Sequence, residues 1–160
     1  MTVDYARLQS QFEALADTDN DALAMSANFV ALIYSELPDI NWLGLYVTRG
    51  NELVLGPFQG LPACIRIPFG QGVCGTAAQE AMTQRIADVH AFEGHIACDP
   101  ASNSELVVPL IDDRGVIGVL DIDSPLTGRF SAGDQAGIEA LCASFVNRLS
   151  PDASASCGFI

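Results

Sequence analysis

The sequence predicts a single α+β domain in which an antiparallel sheet is flanked by helices. Apolar residues recur at intervals of three and four near both ends of the chain, which is typical of amphipathic helices. Between these ends lie two pairs of strand-like segments, and a short polar turn joins the members of each pair. Strands joined by such turns run antiparallel, and 160 residues suffice for one domain with a core.

Two helices are predicted at the start of the chain. In the first, Tyr5, Leu8, Phe12 and Leu15 share one face. Residues 17–21 then supply loop and N-cap chemistry, and the second helix ends before Pro38. The predicted apolar stripe of this second helix is Leu23, Ala27, Val30, Tyr34 and Leu37.

A hairpin follows, with strands at residues 40–48 and from residue 53 onwards. Trp42, Gly44 and Tyr46 share one face of its first strand, and Leu43, Leu45 and Val47 share the other. Glycines and prolines interrupt residues 56–72, where Cys64–Ile67 can form a short strand.

A short helix at Val73–Met82 is predicted next, followed by a loop over residues 83–103 with a possible strand at 84–86. Irregular loops of this length are usually functional.

The second hairpin spans residues 105–111 and 116–123, and Pro109 requires an edge position or a bulge in it. The last helix opens at Ser131 with Asp134 in a capping-box arrangement. Its predicted buried face is Ile138, Leu141, Cys142, Phe145 and Leu149. We therefore place the domain at residues 1–149 and a flexible tail at residues 150–160.

Composition excludes several function classes. Hydrophobic residues make up 49% of the chain, which excludes disorder, and the net charge is −13 without any basic patch. Nucleic acid and anionic membranes are therefore poor partners. The N-terminus has no signal-peptide pattern, and no apolar run reaches the roughly 18 residues of a membrane span, so we expect a cytoplasmic protein.

The chain has five cysteines, an odd number. Because the cytoplasm keeps thiols reduced, this favours a catalytic or redox role over a disulfide framework. Cys74 lies where a glycine-rich loop enters a helix, a position that lowers a thiol pKa. Cys98 shares one loop with both histidines, where His95 favours its ionisation and Asp99 opposes it. We interpret Cys142 as core and Cys157, in the tail, as incidental.

Acidic side chains form the second candidate cluster. Asp121 and Asp123 lie two apart on a strand, on the predicted face of Ile117 and Val119, and Glu105 begins the partner strand. Such a cluster can bind an ammonium group or hold a proton for general-acid catalysis. Alternatively, these are solvated charges at strand ends. Cysteine and histidine spacings give only a weak zinc signal, so no metal or other bound cofactor is predicted.

Several motifs together resemble the free methionine-(R)-sulfoxide reductase family, which uses a GAF-type domain. The resemblance runs from about residue 3 to residue 149. Its motifs are ACIRIPFGQGVCGT at 63–76, DVH at 88–90, GHIACD at 94–99, SNSE at 102–105 and GVLDIDS at 118–124.

This resemblance implies that Cys98 is the nucleophile and that Cys74 and Cys64 are resolving or recycling thiols, in an order that stays open. It implies that Glu105, Asp121 and Asp123 hold the substrate and the polarised sulfoxide. Trp42 matches an aromatic pocket wall, and Tyr46 on the same face is a further candidate for substrate binding.

The implied activity is thiol-dependent reduction of free methionine (R)-sulfoxide through a sulfenic acid and an intramolecular disulfide. The implied reductant is a thioredoxin-like dithiol, and a homodimer is possible. One alternative is a GAF domain that senses a small ligand or redox state without turnover. Another is a zinc-bound structural domain.

Overall fold

The computed structural model describes residues 2–96, 98–149 and 159–160. These residues form four α-helices and six strands, in the predicted order. The elements are α1 Tyr5–Ala16, α2 Ala22–Glu36, β1 Trp42–Arg49, β2 Glu52–Gln59, β3 Arg66–Pro68, α3 Gly72–Glu80, β4 Gln84–Ile86, β5 Ser104–Asp112, β6 Gly115–Ser124 and α4 Ala132–Arg148. Among the described residues, no helix is both long and apolar enough to cross a membrane.

The six strands form one antiparallel sheet in the order β3-β2-β1-β6-β5-β4. The two long hairpins therefore lie side by side, with β1 against β6 at the centre. This confirms the predicted α+β class. Pro109 lies two residues beyond Val107, the last residue of β5 that pairs with β4, so β5 is an edge there as the sequence required.

Each face of the sheet carries its own core. Leu43, Leu45 and Val47 of β1 pack with α1, α2 and α4 in the larger core. Trp42 and Tyr46 point to the other face, where they pack with α3 in a smaller core. The alternation predicted for β1 is thus confirmed, and the smaller core is the side on which the candidate site lies.

A bulge corrects the prediction for Ile117. The pairing of β5 with β6 shifts between Leu110 and Ile111, where Leu110 faces Gly118 and Ile111 faces Val116. The extra residue reverses the alternation, so Ile117 packs in the larger core while Val119 stays in the smaller one. The prediction that Ile117 shares the face of Asp121 and Asp123 was wrong for this reason.

The apolar stripe predicted for α2 was wrong in part. Leu23 is 56% exposed and Ala27 is exposed, whereas Met25, Phe29 and Ile33 are buried. Two apolar stripes fit the helical period in α2 because its outer face also carries apolar residues. The buried stripe is the one that contains Phe29, whose ring packs on Phe12 and Phe145.

The predicted helix signals elsewhere are confirmed. Asp21 caps α2 by accepting from the Ala24 amide at 2.9 Å. Ser131 and Asp134 form the capping box of α4. Cys142 is buried on α4, in the larger core.

β2 continues to Gln59 through Gly56 and Pro57, beyond the expected break. A register shift opposite them, between Gly44 and Tyr46 of β1, accommodates the proline.

Most of the predicted tail, residues 150–158 with Cys157, lies outside the described residues. The two final residues are described: Phe159 is buried against Phe145, with ring centroids 5.4 Å apart.

Candidate active site

One cavity on the α3 side of the sheet brings together the residues singled out from the sequence. It encloses about 30 Å³, room for roughly two water molecules. The loop between β4 and β5, the start of α3 and the strands β1, β5 and β6 all reach it. Its walls are formed by Tyr46, Ile67, Gln71, Gly72, Val73, Cys74, His95, Ile96, Cys98, Asp99, Ser102, Glu105, Asp121 and Asp123.

The carboxylates owe their proximity to strand register. Glu105 of β5 pairs directly with Asp123 of β6, and Asp123 pairs on its other side with Trp42 of β1. Asp121 lies two residues before Asp123 and therefore points to the same face. Both Glu105 and Asp121 are only 6% exposed, so the alternative of solvated strand-end charges is wrong for these two.

Burial holds these carboxyl groups toward their neutral form. It raises the pKa of Glu105, Asp121 and Asp123 well above the usual values, and the neighbouring carboxylates raise each pKa further. A hydrogen bond from Ser102 acts in the opposite direction on Asp123. Carboxyl groups that keep a proton at neutral pH can donate it to a ligand.

Cys74 does not have the lowered pKa predicted from its place at a helix start. It is 4% exposed, and burial followed by the charges of Asp121 and Glu105 raises its pKa well above that of a free thiol. The prediction was wrong because desolvation and two nearby carboxylates outweigh the favourable helix end. Its sulfur lies 3.9 Å from Glu105 Oε1, as a donor to that carboxylate.

Cys98 and Cys64 are joined by a disulfide. Both residues are half-buried, and Cys98 lies on the cavity wall. The pairing puts the two cysteines into covalent contact, whereas Cys74 remains a free thiol.

The loop that carries Cys98 is fixed to the sheet by side-chain hydrogen bonds. Asn41, just before β1, donates to Asp99 Oδ2 at 3.0 Å and to Ser102 Oγ at 3.2 Å. Ile96 packs over Gly72 of α3, where a Cβ atom would lie 3.1 Å from the Ile96 side chain. The loop therefore forms one wall of the cavity.

The two predicted aromatic residues hold the segment that carries Cys64. The Trp42 indole donates to the Leu61 carbonyl at 3.0 Å, and the Tyr46 hydroxyl donates to the Cys64 carbonyl at 2.9 Å. Tyr46 lines the main cavity, and Trp42 lines an adjoining space of about 20 Å³ that also reaches Cys98. Both side chains thus border the site and position one of its sulfurs.

The first residues of α3, Gly72, Val73 and Cys74, line the cavity, and N–H groups in the first turn of a helix have no partner within the helix. Within the described chain, no side chain caps this helix at Gln71, and Gly72 adopts a φ of 63°. The amides of Gly70 and Gln71 are already bonded, to the carbonyls of Gly75 and Pro68. The first turn of α3 is therefore suited to an anionic group in the cavity.

Sequence reasoning missed three polar residues at the site: Asn41, Gln71 and Ser102. Single amides and hydroxyls in loops carry no periodic signal, so only the fold identifies them. His95 was considered solely as a partner of Cys98, yet its Nε2 atom lies 3.7 Å from Glu105 Oε2. Burial lowers the His95 pKa, which favours the neutral ring.

Known proteins resemble this chain in sequence and in fold. The model of the GAF domain family matches residues 8–149. The free methionine-R-sulfoxide reductase of Escherichia coli K12 is 55% identical over 139 residues, which cover 87% of this chain and 84% of that protein. The chain belongs to the free methionine-R-sulfoxide reductase family.

Solved structures of this reductase family share the fold. The reduced form of fRMsr from Staphylococcus aureus superposes with a TM-score of 0.89 at 48% identity, covering 93% of this chain and 97% of that one. The free methionine-R-sulfoxide reductase of Neisseria meningitidis in complex with its substrate gives 0.87 at 40% identity, covering 90% and 87%. The predicted GAF fold is therefore confirmed.

Proposed function

We propose that this protein reduces free L-methionine (R)-sulfoxide to methionine, with Cys98 as the nucleophile. The observation that carries the proposal is that Cys98 and three carboxyl groups line one small cavity, with Cys98 already bonded to Cys64. Its relatives in Escherichia coli and Neisseria meningitidis, which bear that activity in their names, support the same reaction.

The first step is attack by the Cys98 thiolate on the sulfoxide sulfur. The oxygen leaves the substrate only if it is protonated. At least one of the buried carboxyl groups of Glu105, Asp121 and Asp123, whose pKa values burial raises, supplies that proton in this proposal. Overall, the oxygen passes to the cysteine, so methionine is released and Cys98 becomes a sulfenic acid.

Cys64 then resolves the sulfenic acid. Its thiol condenses with Cys98 to give the disulfide and one water molecule. Direct bonding of Cys64 to Cys98 supports this order over resolution by Cys74, whose buried thiol has a raised pKa. Cys74 then serves as a hydrogen-bond donor to the carboxylates.

A thioredoxin-like dithiol regenerates the enzyme by exchange with this disulfide, and two electrons return both cysteines to thiols. Leu61 and Ile65 flank Cys64 and are 65% and 69% exposed, which supports docking of another protein here. A cytoplasmic location and a homodimer remain predictions.

Free substrate is recognised at both ends in this proposal. The acidic cluster suits the ammonium group, and the uncapped first turn of α3 suits the carboxylate. A methionine sulfoxide inside a polypeptide has neither charge and is excluded. N-acetylated methionine sulfoxide amide should accordingly be reduced at least tenfold more slowly than the free amino acid.

The deciding experiment measures methionine release in a single turnover from the separated epimers, using reduced wild type and the Cys98→Ser, Cys64→Ser and Cys142→Ser variants. We expect release from the R epimer in all but Cys98→Ser, with a sulfenic acid, trapped by dimedone, persisting in Cys64→Ser. Release by Cys98→Ser would contradict the assignment. Reversible oxidation of the wild type without substrate consumption would instead support the sensor alternative.

A further inference from the structure

A buried set of potential metal ligands lies at the inner end of the cavity. Cys74, Glu105 and Asp121 each offer one ligand atom, and these atoms all lie within 4.8 Å of one another. They come from α3, β5 and β6, so nothing in their sequence spacing marks a metal site. All three residues are at least nine-tenths buried.

An orphaned oxygen in this set points to a missing ligand. Asp121 Oδ1 is buried and has no hydrogen-bond partner among the described residues. A buried polar atom without a partner costs free energy, and a bound ion can satisfy it. Asp121 lines the cavity, so an ion there can reach it.

The chemical nature of the three ligand atoms, one sulfur and two carboxylate oxygens, indicates which ions the site would bind. A thiolate beside two carboxylates suits Zn²⁺ or a similar transition-metal dication, whereas Mg²⁺ and Ca²⁺ prefer oxygen donors alone. His95, 3.7 Å from Glu105, lies within reach as a fourth donor. Tetrahedral zinc sites take such sets of four. Cys74, Glu105 and Asp121 already lie within 4.8 Å of one another, and His95 completes the set by moving toward them from its place beside Glu105.

We propose that Cys74, Glu105 and Asp121, with His95 as the fourth ligand, bind one zinc-type divalent cation. Binding releases the thiol proton and any carboxyl protons, and the dication offsets most of the negative charge left on three buried ligands. The site needs neither Cys98 nor Cys64, because both are held in the disulfide while Cys74 is free.

A bound cation blocks turnover. This consequence rests on the proposed function. An ion at these ligands occupies the carboxyl groups that hold the proton for the sulfoxide oxygen. It also fills a space that holds only about two waters. The cation therefore acts as a reversible inhibitor.

Binding is tested with Co²⁺ as a spectroscopic probe, on the disulfide form of a Cys157→Ser background. With the Cys64–Cys98 disulfide intact, the remaining thiols are Cys74 and Cys142. We expect one equivalent of cobalt with a thiolate-to-cobalt charge-transfer band, which added Zn²⁺ removes by displacement. The band should be absent in Cys74→Ser, unchanged in Cys142→Ser, and require at least tenfold more cobalt in Asp121→Asn.

A band that survives Cys74→Ser, that depends on Cys142, or that fails to appear below about 1 mM cobalt overturns the site. Inhibition is tested by single-turnover methionine release from reduced wild type with and without Zn²⁺, followed by a chelator. We expect a slowing of at least tenfold that the chelator reverses. Unchanged methionine release with zinc bound overturns the inhibitory role. If no methionine is released even without zinc, the proposed function is contradicted, and the cobalt experiment alone decides whether the metal site exists.

Discussion

At the scale of single residues, Asp121 is expected to serve activity while lowering the stability of the folded protein. Its carboxyl group is buried in the smaller core with an unpartnered oxygen, in a place where a neutral side chain would be better tolerated. The same properties give it a raised pKa and hence a proton to donate.

Asp121→Asn is therefore expected to lose activity and gain stability. Without the acidic proton, reduction of the free sulfoxide should slow by at least tenfold. At neutral pH the free energy of unfolding should rise by about 0.5–2 kcal/mol, because the amide avoids the cost of a buried ionisable group. Single-turnover kinetics and urea denaturation measure the two effects. Asp113→Asn, at an exposed turn, is the control that should change neither.

The gain in stability should depend on pH with a definite sign. A carboxyl group with a pKa raised by folding lowers the free energy of unfolding once the pH exceeds its usual value, because only the unfolded chain then ionises freely. Well below pH 3.8, Asp121 is protonated in both states and resembles asparagine. The stability difference between variant and wild type should thus shrink as the pH falls from 7 toward 4. A difference that grows on acidification would contradict the raised pKa.

Residue types and motifs were sufficient to predict that the acidic side chains lie together, since carboxylates two apart on a strand share a face. The chemical roles of the cysteines stay predictions. The pKa of Cys74 was not predictable in this way. Its sign depends on whether burial and two carboxylates from distant strands outweigh the helix end, and the sequence does not specify these distances.

At the scale of elements, the position of α3 depends on one close backbone contact. A Cβ atom at Gly75 would lie 2.4 Å from the Pro68 carbonyl oxygen, so only glycine lets α3 pack this closely against β3. Cys74 and the first turn of α3 are held at the cavity by this packing.

Gly75→Ala should push α3 outward and destabilise the protein by about 1–3 kcal/mol. Turnover should fall as well, because the helix start and Cys74 move together. Gly133→Ala in the first turn of α4 is the matched control, since its nearest neighbour would be 3.6 Å away. That change should be neutral or stabilise by up to about 1 kcal/mol. Equal effects of the two substitutions on the free energy of unfolding would refute the packing argument.

The helices and strands also show which features the sequence pattern predicts and which it does not. Period and turn chemistry correctly placed all four helices and both hairpins. The bulge at Ile117 was missed because one extra residue in a strand changes the face of its neighbours without any change in composition. The α2 stripe was misassigned because a helix with apolar residues all round offers more than one face.

At the scale of the whole molecule, Phe159 packs into the larger core beside α4. Phe159 is 2% exposed, and its ring meets Phe145 of α4 edge-on. A Cβ atom at Gly118 in β6 would lie 3.0 Å from the Phe159 ring, so the bulged strand leaves the space that this ring fills.

Phe159→Ala should accordingly destabilise the protein by about 3–5 kcal/mol, the usual cost of removing a buried phenylalanine ring. Leu126→Ala, at a residue that is 49% exposed, is the control and should cost less than about 0.5 kcal/mol. Urea denaturation of both variants gives the comparison. A loss below 1 kcal/mol in Phe159→Ala would show that the chain end contributes little to the core.

We predict that the Cys64–Cys98 disulfide links the redox state of the molecule to its capacity to bind substrate. In the disulfide form, the loop around Ile96 and Cys98 covers a cavity of about 30 Å³, and a free amino acid with ten non-hydrogen atoms cannot enter it. Binding therefore requires the bond between Cys64 and Cys98 to open and the loop to move outward.

We expect isothermal titration calorimetry to detect binding of the free R sulfoxide by the reduced Cys98→Ser variant and none by the oxidised wild type. Cys98→Ser lacks the proposed nucleophile, so binding is measured without turnover. Cys64→Ser separates loss of the disulfide from loss of Cys98. Hydrogen exchange should be faster around residues 92–103 in both variants than in the oxidised protein, because the covalent tie to the segment of Cys64 is gone. Equal affinity in the oxidised and reduced forms would mean that the loop opens while the disulfide is intact, and the bond would then not control access to the site.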